Sequence, residues 1–243
     1  MTAYTSTSRT CSTPSGADPP LTRAGGTSER LPVVRLDHIS YAAGPEGLGA
    51  AAQRLGAALC AGFRDGGMHP RFGTRNFVLP LAGGVYLEVV GALDHPASDK
   101  APFGQAVKQR TAAGGGWLAW VVAVDDIAPV EQRLGRPAVA GHRRRPDGVD
   151  LNWRQVGVLD VLDDPALPFF VEWECPPEDH PAAGGAATPV IDQFEICDDP
   201  DRVAEWLGIP LEPHDVDVQW VQDEDPGLVA VHFTTSRGII RID

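Results

Sequence analysis

Leu36-Asp37-His38-Ile39-Ser40-Tyr41 and Tyr86-Leu87-Glu88-Val89-Val90 are short strand-like runs, each with one metal-competent side chain among apolar neighbours. Burying such a group alone is costly, so His38 and Glu88 both need partners in the fold. They lie 50 residues apart, the length of one small αβ repeat, and the pattern around them recurs further along the chain.

Around these runs, 33–42 reads as a strand and 47–59 as a helix. Leu48, Ala51, Ala52, Leu55 and Leu59 fall at helical spacing. The stretch 62–71 is turn-rich, with room for a short strand. Residues 74–81 and 85–90 read as strands joined at Ala82-Gly83-Gly84, a hairpin signal. The order is βαβββ. It repeats as strand 117–124, helix 127–134 capped by Asp125 or Asp126, and strands 139–143, 151–159 and 169–173. After a Pro/Gly/Ala linker it starts again, with strand 190–196, helix 200–207 and strands 216–221, 228–234 and 238–242. The expected fold class is α+β, built of repeated βαβββ modules that form cupped mixed sheets. The modules are 31–97, 115–178 and a degenerate third copy at 188–243. Residues 98–114 form a connector with a helix near 103–110. Residues 1–30, rich in Thr, Ser, Gly and Pro, are expected to be a disordered tail.

Composition narrows the partners. The net charge of −13 argues against nucleic acid and anionic membranes. No apolar run is long enough to span a bilayer, and the N-terminus carries no apolar signal core. Cys11, Cys60, Cys175 and Cys197 form no CxxC pair, so reduced thiols and a cytoplasmic location are expected. There is no GxSxG, GxxxxGK[ST] or HExxH.

The βαβββ repeat, the Leu-Asp-His opening strand and the Tyr-Leu-Glu closing strand resemble the vicinal oxygen chelate superfamily. More narrowly, Gly67-Met68-His69-Pro70-Arg71-Phe72-Gly73-Thr74-Arg75-Asn76, followed by Tyr86-Leu87-Glu88, is similar to glyoxalase-like domain proteins. The resemblance covers residues 33–175 well and the third copy weakly. It implies a divalent metal held by first-strand and last-strand residues of paired modules. Carried over, it places ligands at His38, Glu88 and Glu172, with Trp120 in the remaining slot. Tryptophan cannot ligate, because its indole nitrogen only donates. The third module carries Gln193 and Arg241 in these slots.

On that basis Zn, Fe, Mn or Ni would bind with open positions for a chelating substrate, and Glu172 and Glu88 would be the catalytic carboxylates. Glu172 and Glu174 are read as facing opposite sides of their strand, with Glu172 inward. The implied activity is that of a lyase, isomerase or dioxygenase on a small oxygenated molecule. The alternative is a metal-free small-molecule binding or antibiotic-resistance-type protein on the same fold. His69, Arg71, Asn76, Trp120 and Trp153 are the candidate substrate contacts. For each, a polar loop or an ordinary core position is the competing reading. The run His142-Arg143-Arg144-Arg145 is read as a solvated loop face, with anion capture as the lesser option. The third module is a candidate cap over a sheet edge or a docking face for a second subunit, so a homodimer is left open.

Overall fold

Eight strands close into a barrel in the computed structural model, which describes residues 34–160, 163–208 and 216–243. The tail expected over residues 1–30 lies outside the described residues. The barrel starts with β1 (Arg35–Ala42), α1 (Leu48–Leu59), β2 (Arg64–His69), β3 (Thr74–Pro80) and β4 (Tyr86–Ala92). Helix α1 buries Ala51, Ala52, Leu55 and Leu59, the stripe its spacing predicts. Gly83 and Gly84, both at φ 79°, turn β3 into β4 where a side chain would be strained. Helices α2 (Pro96–Lys100) and α3 (Pro102–Ala112) lead to β5 (Gly116–Ala123), α4 (Ala128–Leu134), β6 (Val139–Arg144), β7 (Asp150–Val156) and β8 (Phe169–Trp173).

Around the barrel the order is β1-β4-β3-β2-β6-β7-β8-β5. Each half is one four-stranded module whose first and last strands run parallel. His38 faces Tyr86 and Ser40 faces Glu88 between β1 and β4. Val121 faces Phe169 and Ala123 faces Val171 between β5 and β8. The halves join antiparallel through β1–β5 and β2–β6. A bulge between Leu36 and His38 interrupts the β1–β5 register. It lets the consecutive residues Asp37 and His38 both reach one buried polar cluster.

The remaining strands form a separate sheet: β9 (Val190–Cys197), β10 (Asp217–Trp220), β11 (Gly227–Thr235) and β12 (Gly238–Ile242), with α5 (Pro200–Leu207) after β9. The element order matches a third module, but the pairing does not. The sheet runs β10-β9-β11-β12, and β9 is parallel to β10 rather than to the last strand. Sequence periodicity reports the succession of elements and is blind to which strands pair, so the expected third copy is corrected to a differently wound sheet. The expected slots there lie outside the barrel, and Arg241 forms a fork on Glu195 at 2.8 and 2.9 Å.

This sheet covers the outer face of β5. Phe194 meets Trp120 edge-on, Phe233 stacks near Trp117, and the Trp117 indole donates to the Ile242 carbonyl at 2.9 Å. Each such aromatic side chain contributes roughly 1.5–3 kcal/mol by burial. Both faces of β5 are thereby enclosed, and all eight of its residues are buried. Among the described residues no helix is long and apolar enough to cross a membrane.

Candidate functional site

A small cavity with an open mouth lies inside the barrel. Its walls are largely aromatic, with Phe103, Trp153, Phe169 and Trp173 among them, and its polar groups are His38, His69, Glu88, Arg143 and Gln155. Strand alternation explains which residues arrive there. On β4, Tyr86 and Glu88 point inward while Leu87 and Val89 join the outer core. On β8, Phe169, Val171 and Trp173 line the cavity.

Glu88 is buried and both its oxygens are engaged. Ser40 Oγ donates at 2.5 Å and Asn76 Nδ2 at 2.6 Å. Burial pushes its carboxyl up, but the imidazoles of His69 and His38 and these two hydrogen bonds outweigh that, leaving it below the usual glutamate value. Glu88 is therefore an anion at neutral pH. The His69 Nε2 atom lies 4.0 Å from it, and His69 Nδ1 bonds Thr74 Oγ1 at 3.0 Å. Burial lowers the His69 pKa to about 4, so this ring is neutral.

His38 has a different support. Its Nδ1 lies 2.6 Å from Asp37 Oδ2, and its ring stacks on Tyr86 with centroids 4.4 Å apart. The other Asp37 oxygen accepts from Trp173 Nε1 at 3.0 Å and His180 Nε2 at 3.1 Å. Burial opposes ionisation of Asp37, yet the hydrogen bonds from His180 and His38 prevail and hold it well below the carboxylate range. An ionised carboxylate only accepts, so His38 Nδ1 carries the hydrogen and, in the neutral ring, Nε2 is the basic nitrogen.

Several expected site residues stand elsewhere. Glu172 is on the outer face of β8, where it accepts from the Ile127 amide at 3.2 Å and pairs with Arg154 at 3.6 Å. Residues two apart share a strand face, so Glu172 and Glu174 both point away from the cavity, contrary to the expected opposition. Val171 occupies the inward position. The register also moves the first-strand slot: Val121 faces Phe169 as His38 faces Tyr86, so Val121, not Trp120, is the counterpart of His38. Trp120 lies in the seam with the second sheet and donates to the Ala166 carbonyl at 2.8 Å. Arg71 is exposed and donates to the Ala140 carbonyl at 3.1 Å. Asn76 sits behind Glu88 and positions it. Of the candidate substrate contacts, His69 and Trp153 line the cavity.

The donor set does not fit a chelated divalent metal. The second module offers Val121 and Val171 in the slots that match His38 and Glu88, and neither side chain can ligate. Among the described residues no group of three or more His, Cys, Asp or Glu side chains could hold a metal ion.

Composition and motif reasoning missed Asp37, Ser40, Tyr86, Gln155, Trp173 and His180, and favoured the solvated reading of Arg143. The available signal was parity from His38 and Glu88: Ser40 and Tyr86 are each two residues from one of them.

The glyoxalase-like domain family matches residues 36–210. Among solved structures, a hypothetical protein from Staphylococcus aureus is similar over 87% of this chain and 86% of its own, at 15% identity and a TM-score of 0.58. Methylmalonyl-CoA epimerase from Mycobacterium tuberculosis matches 59% of this chain and 89% of its own at 16% identity and a TM-score of 0.39. A variant of the Streptomyces coelicolor methylmalonyl-CoA epimerase, in complex with 2-nitronate-propionyl-CoA, matches 59% of this chain and 99% of its own at 14% identity and a TM-score of 0.39. Likeness at these identities bears on the fold alone. No curated protein matches the chain.

Proposed function

The chain belongs to the glyoxalase-like domain family, and from that premise we propose that its barrel cavity binds a small oxygenated molecule and moves a proton on it without a chelated metal. The observation that carries this is the Asp37–His38 pair set against the ionised Glu88 in one enclosed, aromatic-walled space. Asp37 fixes the tautomer and orientation of His38, which makes Nε2 the proton acceptor. Glu88 is held below its ordinary pKa by its surroundings, and its role is to accept a hydrogen bond from a ligand hydroxyl. The neutral His69 beside it supplies a further polar contact without adding charge. The aromatic walls exclude water and strengthen these interactions.

The test uses protein stripped with chelator and a panel of small hydroxyketones and 2-oxo acids in D2O. Binding is read by quenching of Trp153 and Trp173 fluorescence, and proton transfer by deuterium incorporation beside the carbonyl. Exchange should survive chelation and fall roughly 10²- to 10⁴-fold in His38→Ala. Exchange that needs added Zn²⁺, Mn²⁺, Fe²⁺ or Ni²⁺, or that His38→Ala leaves intact, would overturn the proposal.

A further inference from the structure

Arg143 is the one side chain of the 142–145 run turned into the barrel. It is 3% exposed and lines the cavity. Its neighbours in the run are engaged or solvated. His142 pairs with Asp150 at 2.9 Å, Arg145 pairs with Asp147 and with Asp179 at 3.1 Å, and Arg144 is exposed. The Arg143 guanidinium has no hydrogen bond or ion pair with any described residue, and its Nε is buried without a partner. Burial lowers its pKa, as does the nearby charge of Arg145, while Tyr86 and Glu88 act in the opposite sense. A buried guanidinium without a counter-ion is costly, and it becomes favourable when an anion arrives.

Gln155 supplies the second half of the arrangement. It is 2% exposed and lines the same cavity. Trp153 Nε1 donates to its Oε1 at 2.9 Å. An indole N–H can only donate, so the amide orientation is fixed and Nε2 is the free end. That Nε2 is also buried without a partner. The Trp153 ring that enforces this lies against Gly141, where a Cβ would collide with the indole.

We propose that Arg143 and Gln155 form a carboxylate-binding subsite, so that the ligand of the barrel is a small monoanion with an apolar or aromatic body. This rests on the reading of the cavity as a small-molecule site. The planar fork of arginine matches a carboxylate, and the amide adds a donor. A dianion would suffer repulsion from Glu88 in the same space, which favours a single negative charge.

The experiment compares matched probes on the full chain at neutral pH: benzoate with benzamide, and 3-phenylpropionate with 3-phenylpropionamide, by tryptophan quenching. Each carboxylate should bind roughly tenfold to a hundredfold more tightly than its amide, the range expected for hydrogen bonds to a charged partner. Arg143→Met should abolish that preference, and Arg143→Lys should retain part of it. Equal binding of carboxylate and amide by the wild type overturns the subsite and leaves the cavity reading standing. Binding of neither overturns both. The wild-type ratio decides the matter even where Arg143→Met fails to fold, and a preference that persists in folded Arg143→Met also refutes the assignment.

Discussion

Replacing Asp37 by Asn changes one oxygen into an NH2 group inside a cluster with almost no access to water. The Asp37 side chain is 3% exposed and accepts from His38, Trp173 and His180 at 2.6, 3.0 and 3.1 Å. An asparagine can keep its oxygen toward Trp173 and His180, but its NH2 then confronts the His38 Nδ1–H. One hydrogen bond is lost and two lose their charge assistance. Removing one partner of such a buried charged network costs about 3–5 kcal/mol. For a chain of this size that lowers Tm by about 6–20 °C.

The pH dependence has a definite sign. The folded pKa of Asp37 lies below its ordinary value of 3.8. Its stabilisation is therefore fully present above the unfolded pKa and is lost as pH falls through 3.8 toward the depressed folded value. Urea unfolding of wild type and Asp37→Asn, followed by circular dichroism from about pH 7 to about pH 3, should show a gap that is constant above about pH 5 and narrows below it. A gap under about 1 kcal/mol at neutral pH, or one that widens on acidification, would show that Asp37 does not hold this network as an anion.

Two other perturbations give separate readouts. Because the His69 pKa falls from 6.5 to about 4 on folding, the unfolded chain binds the extra proton between those values. Wild-type stability should then drop by about 3 kcal/mol on acidification through that window. The wild type's advantage over His69→Gln should shrink correspondingly in urea titrations, and an unchanged difference would show that the ring is not held neutral by burial. Gly141→Ala should displace the Trp153 indole, costing roughly 1–3 kcal/mol and shifting tryptophan emission; unaltered stability and emission would contradict the close approach of ring and backbone.

The succession of elements is legible in the amino-acid order. The helical stripe of α1, the Gly-Gly turn between β3 and β4 and the paired βαβββ order are local properties, set by periodicity and backbone freedom. The amino-acid order also located His38 and Glu88, because polar groups amid apolar runs require partners. Tertiary structure alone decided which strand face is the inside. In β5 all eight residues are buried, since the second sheet covers one side and the cavity lies on the other. The usual alternation of apolar and polar residues is therefore absent. That is why Val121 rather than Trp120, and Val171 rather than Glu172, occupy the inward slots. The bulge beside Asp37, the winding of the second sheet and the inward turn of Arg143 likewise depend on pairing between distant strands. Side-chain period is two in any strand, but barrel closure assigns each parity to the cavity or to the outer core.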